Sequence, residues 1–290
     1  MSSTPTPALP PVESTIAGLR SRLDAVRAAG RTIALVPTMG SLHEGHLALV
    51  ERARETADVV VVSIFVNPMQ FGPTEDFDRY PRDLEADRVA LAGLGVDAVF
   101  APAVDEMYPT GPVQTRVTAG PVGGLFEGRS RPGHFDGMLT IVAKLLAITQ
   151  PHVVVFGEKD AQQVFLVQRM VRDLDIRARV DVVETVRAAD GLALSSRNAY
   201  LDERQRRAAR SIPDALEAAQ SAADRGIDAV LAAAQGVLMG AEGVELDYIA
   251  VVRPDTFQPV DDDHRGPARA LIAARVGSTR LIDTALLHLG

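Results

Sequence analysis

The chain has 290 residues, of which 47% are hydrophobic, and it carries a formal net charge of −8. This length and composition predict a globular protein with one large or two modest hydrophobic cores. The absence of cysteine excludes disulfides, thiolate nucleophiles and cysteine-bound metal centres. The negative charge disfavours nonspecific binding to nucleic acids or anionic membranes, since both need a basic surface.

The N-terminal residues 1–13 are rich in Ser, Thr and Pro, and this composition predicts a flexible tail. The tail has neither the basic start nor the apolar stretch of a secretory signal. Apolar runs elsewhere are shorter than the roughly 20 residues that a membrane-spanning helix needs. We therefore expect a cytoplasmic protein without a membrane partner.

Short β-branched runs alternate with helical stretches through the first part of the chain. Strands are predicted at 32–36, 59–65, 98–101, 153–156 and 178–183, and helices at 45–56, 83–94, 137–149 and 161–173. The alternation is typical of an α/β fold with a Rossmann-like, doubly wound parallel sheet, which binds ligands beyond the carboxyl ends of its strands.

After about residue 186 the chain becomes rich in Arg and Ala. Helices are predicted at 202–225 and 228–239, followed by strands at 247–252 and 270–276. We therefore predict a first domain at 1–185 and a smaller α/β domain at 186–290. The DDDH run at 261–264 could hold a metal ion, but a solvated turn across 253–267 is the more ordinary use of a Pro/Asp-rich segment.

The segment IALVPTMGSLHEGHLALV joins an apolar strand, a Pro/Gly loop and a helix with His43 and His46 near its start. Such a helix start binds anions through its backbone N–H groups and its dipole, and Gly40 and Gly45 let the main chain approach a ligand. Two imidazoles three residues apart share one helix face and can donate to one phosphoryl group. Capping is the ordinary alternative, and a zinc pair would need i, i+4 spacing. The combined pattern favours a phosphate site.

Only two of the 30 Lys and Arg residues are lysines, Lys144 and Lys159. Lys159 follows a predicted strand in VVVFGEKD, where a compact ammonium can reach the phosphates of a nucleotide. A surface turn lysine paired with Glu158 or Asp160 is the alternative. The role of Lys144, within predicted helix 137–149, stays open.

The segment LSSRN at 194–198 places two hydroxyls and a guanidinium in succession on a predicted loop. This composition suits a phosphate clamp that closes over a nucleotide. Helix capping is the ordinary alternative for such a segment.

Together these segments resemble a known family. VPTMGSLHEGH is similar to the HIGH-type signature of the nucleotidylyltransferase superfamily, in the full form seen in pantothenate synthetases. Further family-like segments follow in the same order, namely SIFVNPMQFGPTED, YPR, FEGRSRPGHFDG, VVFGEKDAQQ, DGLALSSRNAYL and AARVGSTRLID. The resemblance implies an ATP-dependent ligase that condenses pantoate with β-alanine to pantothenate through a pantoyl adenylate, releasing pyrophosphate and AMP.

The resemblance also implies residue roles. His43, His46 and Lys159 are the expected catalytic residues. ATP is expected to be bound by residues of the three motifs and one neighbour, namely Met39, Gly40, Ser41, Leu42, His43, Glu44, Gly45, His46, Gly157, Glu158, Lys159, Asp160, Val186, Leu194, Ser195, Ser196 and Arg197. Leu194 stands where relatives usually carry Met, a swap that conserves volume.

Gln70 and Gln163 match the glutamines that hold pantoate in the family. Mg²⁺ is expected to accompany the triphosphate, with Asp87 as its ligand, although Ala86 stands where some relatives carry a second carboxylate. The resemblance further implies a homodimer formed through the first domain, which binds nucleotide and pantoate, and a lid role for residues 186–290.

Two other functions remain open from the sequence. Another nucleotidylyltransferase would adenylylate a phosphate-bearing substrate and need several cations at its acceptor site, whereas Gln70 and Gln163 are uncharged. A non-catalytic nucleotide sensor would not need both histidines, Lys159 and Arg197, which are all present.

Overall fold

The structure is a computed structural model that describes residues 8–73, 75–111 and 113–290. It divides into two compact units. Unit 1 comprises Met1–Gly123, Arg131–Gly157 and Leu166–Val183, and unit 2 comprises Gly124–Ser130, Glu158–Phe165 and Glu184–Gly290. The chain enters unit 2 for the last time at Glu184, within two residues of the predicted domain boundary. Two short segments that precede Glu184, namely Gly124–Ser130 and Glu158–Phe165, also belong to unit 2, and this was not predicted.

Strands and helices are numbered in chain order. The strands are β1 Val12–Glu13, β2 Ile33–Thr38, β3 Val59–Ile64, β4 Ala98–Phe100, β5 Val153–Gly157, β6 Arg179–Val183, β7 Val244–Val252, β8 Gly266–Val276 and β9 Thr279–Leu289. The α-helices are α1 Ile16–Ala28, α2 Glu44–Thr56, α3 Leu84–Leu91, α4 Val104–Met107, α5 Phe126–Ser130, α6 His134–Thr149, α7 Ala161–Asp173, α8 Glu203–Ala209, α9 Ser211–Ser221 and α10 Ile227–Gly240.

Unit 1 is built on a parallel sheet, as predicted. Its six described strands lie in the order β1-β4-β3-β2-β5-β6, and every pair is parallel. Successive side chains of a strand point to opposite faces, yet Ile33, Ala34, Leu35 and Val36 are all fully buried. Both faces of the sheet are therefore covered, as in a doubly wound fold. The even-numbered side chains of β2 pack with Leu49, Val50 and Ala53 of α2 in one apolar cluster.

The predicted tail is partly wrong. Residues 1–7 lie outside the described residues, but Val12 and Glu13 form an edge strand paired with Val99 and Phe100. The backbone carbonyl of Pro11 accepts a hydrogen bond from Val99 N–H at 2.8 Å. Proline is compatible with an edge strand because its missing N–H need not face a neighbour.

Unit 2 combines helices with an antiparallel sheet in the order β7-β8-β9. Helices α9 and α10 pack against this sheet and share its apolar core. The predicted helix 202–225 is interrupted at Arg210, after which α9 starts with Pro213 in its first turn. Proline has no N–H to donate and is tolerated only there, so the helix has to begin anew.

The segment between β7 and β8 is a turn region, as predicted, but it is not fully solvated. Phe257 is only 2% exposed and takes a left-handed backbone conformation with φ 55°. Its ring packs against Phe126 and Phe165 at centroid distances of 6.1 and 5.2 Å. Burial of this one apolar side chain anchors an otherwise polar loop.

Candidate functional site

The loop after β2 turns sharply and is held by one buried carboxylate. Gly40 and Ser41 take left-handed conformations with φ 82° and 54°. The carboxylate of Asp87, from α3, accepts hydrogen bonds from Ser41 N–H at 3.1 Å and from Leu42 N–H at 2.7 Å. A Cβ on Gly40 would lie 2.8 Å from Asp87 Oδ2, so glycine is required there for space as well as for conformation.

Asp87 is only 4% exposed. Burial raises the pKa of this carboxyl group, and the two backbone hydrogen bonds oppose the shift. The side chain was predicted as a metal ligand, whereas its observed contacts make it a support of the Gly40–Ser41–Leu42 turn. Each carboxylate oxygen can accept more than one hydrogen bond or metal contact, so the two roles are compatible.

His43 and His46 both cap helix α2. Gly45 N–H donates to His43 Nδ1 at 3.2 Å, and His43 N–H donates to His46 Nδ1 at 3.3 Å. A ring nitrogen that accepts carries no proton, so in each neutral ring the proton lies on Nε2. The ring centroids are 4.1 Å apart. The capping alternative is thus correct, and it also orients both Nε2–H groups as donors.

The loop and helix start therefore have the geometry expected of an anion site. Its parts are the turn at Gly40, the positive dipole end of the 13-residue helix α2, and two oriented imidazoles. Met39, Glu44 and Gly45, which were predicted to bind ATP, lie on the same segment. This geometry suits a phosphate group.

Gln70 lies beside this segment, in the short 3₁₀ turn Pro68–Gln70 after β3. It is 9% exposed, and its Nε2 donates to Met39 Sδ at 3.1 Å. Its Oε1 accepts from Nδ2 of Asn67 at 3.2 Å. Asn67 was not predicted as a site residue, although it stands in the same NPMQ segment.

The main chain at Gln70 is held by two further residues that the sequence did not single out. His134 Nδ1 lies 2.8 Å from the carbonyl oxygen of Gln70, which can only accept, so Nδ1 is the donor. Arg131 donates to Glu75 at 2.9 Å and reaches the same carbonyl. A Cβ on Gly137 would lie 2.1 Å from the Met69 carbonyl oxygen. The second half of FEGRSRPGHFDG therefore supports the Gln70 turn.

In unit 2, Lys159 meets the LSSRN segment. Its ammonium donates to the carbonyl of Leu194 at 3.0 Å. Ser195 caps the 3₁₀ helix Ser196–Tyr200 by accepting from Arg197 N–H at 3.3 Å. Leu194 N–H donates to Val186 O at 3.0 Å. The structure thus brings together five residues that were predicted to bind the nucleotide, with Ser195 in the capping role that sequence alone also allowed.

Other predicted residues of this group lie on the turn before α7 or at its start. Glu158 and Asp160 flank Lys159 in a 3₁₀ turn directly after β5, whose last residue is Gly157. Glu158 does not pair with Lys159, since it forms an ion pair with Arg269 at 2.6 Å. Gln163 is half-buried on α7.

Glu127 anchors the short FEGRS segment within unit 2. Arg280 donates to both its carboxylate oxygens, at 2.7 and 2.8 Å, and to Asp247 at 2.7 Å. Burial opposes the charge of Arg280, but the two carboxylates raise the pKa of its guanidinium. Gln162 accepts from Glu127 N–H at 3.2 Å. These contacts stabilise unit 2, and they give a structural role to the first half of the FEGRSRPGHFDG motif.

Within the described residues, no three His, Cys, Asp or Glu side chains lie close enough together to bind a metal ion. Over the same described part of the chain, no helix has the length and apolarity needed to cross a membrane.

Comparison with known proteins identifies relatives along nearly the whole chain. A family model described as pantoate-beta-alanine ligase matches residues 12–286. A pantothenate synthetase of Leifsonia xyli is 61% identical over 251 residues, covering 87% of each chain, and one of Nocardia farcinica is 54% identical over 94% of this chain and 84% of the relative.

Solved structures agree with these matches. A crystal structure of pantothenate synthetase from Thermus thermophilus is 48% identical, with a TM-score of 0.89 over 95% of this chain and 98% of that one. A pantoate-beta-alanine ligase from Francisella tularensis, complexed with beta-gamma ATP and beta-alanine, is 36% identical, with a TM-score of 0.79 over 96% and 97% of the two chains.

Proposed function

The chain belongs to the pantoate–β-alanine ligase family and is an ATP-dependent ligase that joins pantoate to β-alanine, and we propose that it does so through a pantoyl adenylate at the residues described above. The observation that carries this proposal is the capped start of α2. There, Asp87 holds the Gly40 turn while His43 and His46 are oriented as Nε2–H donors.

The histidines contact the phosphates of ATP. Charge develops on the phosphate oxygens as pyrophosphate leaves, and donors oriented in advance stabilise that charge without reorganisation. Lys159 adds a compact positive charge, and the Ser195–Ser196–Arg197 segment clamps the nucleotide. The contact from Lys159 to the Leu194 carbonyl supports a shared role for these two segments.

Pantoate is held by the uncharged side chains of Gln70 and Gln163. Its carboxylate oxygen attacks the α-phosphorus, forming an O–P bond while the bond to pyrophosphate breaks. The unprotonated amine of β-alanine then attacks the acyl carbon, the C–N bond forms, the amine loses a proton, and AMP leaves with the bridging oxygen. The protein contributes mainly alignment and charge neutralisation to both steps.

Three accompanying features are part of the same proposal. Mg²⁺ accompanies ATP and would be held by Asp87 together with phosphates and water, where it would neutralise phosphate charge. The protein acts in the cytoplasm. It forms a homodimer through the first domain, residues 1–185, as the family resemblance implies.

Pyrophosphate release from ATP tests the proposal, with pantoate alone and then with β-alanine added. A small burst followed by sustained turnover with AMP formation is the expected result. His46→Ala should slow adenylation by about two to three orders of magnitude, the effect of about 3 to 4 kcal/mol of lost transition-state stabilisation. His288→Ala is the matched control, because His288 is exposed on β9.

Two outcomes would contradict the proposal. A folded His46→Ala variant that keeps more than a tenth of wild-type adenylation would remove the histidine from the phosphate site. Wild-type protein that binds ATP without any pantoate-dependent pyrophosphate release would point instead to another nucleotidylyltransferase.

A further inference from the structure

A chain of three buried side chains ends at Gln70. Tyr108 Oη donates to Asn67 Oδ1 at 2.7 Å, and Asn67 Nδ2 donates to Gln70 Oε1 at 3.2 Å. Tyr108, Asn67 and Gln70 are 8%, 1% and 9% exposed. Little water reaches these groups, so each depends on its protein partners for hydrogen bonding.

The carboxamide of Asn67 has three further partners, and together they fix the direction of the hydrogen bonds in this chain. Burial raises the pKa of Tyr108 to about 12, so its hydroxyl keeps its proton and acts as a donor to Asn67. Met69 N–H donates to the same Oδ1 at 3.2 Å, and the carbonyl of Gly137 accepts from Nδ2 at 3.2 Å. The carboxamide of Asn67 therefore has one satisfactory orientation, with its oxygen towards Tyr108 and its nitrogen towards Gln70.

This orientation determines what Gln70 presents on its other side. Because Asn67 offers a donor, Gln70 turns its Oε1 towards Asn67, and its Nε2 lies on the side of Met39. We propose that Tyr108 is a positioning residue that, together with the backbone groups of Met69 and Gly137, holds Asn67 so that Gln70 presents an N–H donor, rather than an oxygen, to the oxygen atoms of the acid substrate. The inference rests on the proposed function, in which Gln70 binds pantoate.

Lys144, whose role the sequence left open, belongs to the same arrangement. Its Nζ lies 5.3 Å from the centroid of the Tyr108 ring and donates to the carbonyl of Met107. A cation over an aromatic face attracts the ring, and the adjacent carbonyl contact fixes the cation in place. Lys144 thus holds the Tyr108 ring where its hydroxyl reaches Asn67.

The first test is Tyr108→Phe, which keeps the ring and removes only the hydroxyl. The substitution removes one of the hydrogen bonds that hold Asn67, worth about 1 kcal/mol, and so loosens Asn67 and Gln70; the KM for pantoate should rise by up to about fivefold. The KM for ATP should not change. Tyr248→Phe is the matched control, since it removes a largely buried hydroxyl near Glu127 in unit 2 and should leave the pantoate KM unchanged.

A double-mutant cycle separates positioning from general packing. Asn67→Asp keeps the acceptor towards Tyr108 but cannot donate to Gln70, so adding Tyr108→Phe to it should raise the pantoate KM no further. If the two substitutions instead raise the pantoate KM independently, so that their effects are additive, the inference would be overturned. So would an unchanged pantoate KM in folded Tyr108→Phe protein while the wild type is active.

Substitutions of Lys144 provide a second test if the Tyr108→Phe variant does not fold. Lys144→Met should raise the pantoate KM, and Lys144→Arg should restore it in part. Equal pantoate KM values for wild type and a folded Lys144→Met variant would overturn the inference. Wild-type protein without pantoate-dependent turnover would instead overturn the proposed function on which it rests.

Discussion

Asp87→Asn tests whether one buried carboxylate holds the turn at Gly40, Ser41 and Leu42, which we propose binds ATP. Asparagine can still accept one backbone hydrogen bond through Oδ1, most readily the 2.7 Å contact from Leu42 N–H. Its NH₂ group would then face Ser41 N–H, and two donors cannot pair. An unsatisfied buried donor costs about 1 to 3 kcal/mol.

Global stability should change less than this cost suggests. Burial raises the pKa of Asp87, so the ionised carboxylate is itself unfavourable in the folded protein, and the neutral amide relieves that cost. We therefore expect the free energy of unfolding to change by about 1 kcal/mol or less. The affinity for ATP should fall by about tenfold or more, because the loop is no longer held in its binding conformation.

Calorimetric titration of ATP, with Mg²⁺ and with EDTA, measures the effect. Asp83→Asn is the matched control, since Asp83 caps α3 four residues earlier and asparagine caps equally well. Equal weakening with and without Mg²⁺ identifies Asp87 as a loop support, and weakening only with Mg²⁺ identifies it as a metal ligand. Unchanged affinity under both conditions in a folded variant would refute the reasoning.

Three further predictions can be checked by denaturant unfolding. Gly40→Ala should lower the free energy of unfolding by about 1 to 3 kcal/mol, because the new Cβ is strained and lies 2.8 Å from Asp87. Gly30→Ala should lower it less, because φ is 69° there but no atom lies within 4 Å of the new Cβ. Gly137→Ala should lower the free energy of unfolding by about 2 kcal/mol or more, because its Cβ would lie 2.1 Å from the Met69 carbonyl oxygen. Gly236→Ala in α10 is the control: its Cβ would meet no atom, so the substitution should raise the free energy of unfolding slightly. Raising the pH from 10 to about 12 should destabilise the wild type more than Tyr108→Phe, since the unfolded tyrosine ionises at a lower pH than the buried one.

The parallel sheet and the capped loop before α2 were predictable because their signals are local. Strands such as β2 and β3 are short, continuous apolar runs, as buried parallel strands must be. The strand, glycine turn and histidine-capped helix are contiguous at 33–56, so sequence order alone places them together. The same is true of Lys159, which directly follows β5.

The supports of the site were not predictable, because each depends on a contact between distant positions. Asp87 reaches Leu42 across 45 residues, and Tyr108 reaches Asn67 across 41. The family resemblance named Asp87 only as a metal ligand, and nothing in the local pattern predicts the contacts that Asp87 and Tyr108 make. The ion pair between Glu127 and Arg280 joins positions 153 residues apart. The sequence therefore could not predict that the FEGRS segment belongs to unit 2.

The adenylate itself is tested most directly by following the oxygen atoms of pantoate. Pantoate labelled with ¹⁸O in its carboxylate is supplied with ATP and β-alanine, and the nucleotide products are analysed by mass spectrometry. Attack on the α-phosphorus predicts one ¹⁸O in each AMP formed, because the bridging oxygen leaves with the phosphate. Unlabelled AMP, or label found in inorganic phosphate beside ADP, would contradict the proposed adenylate.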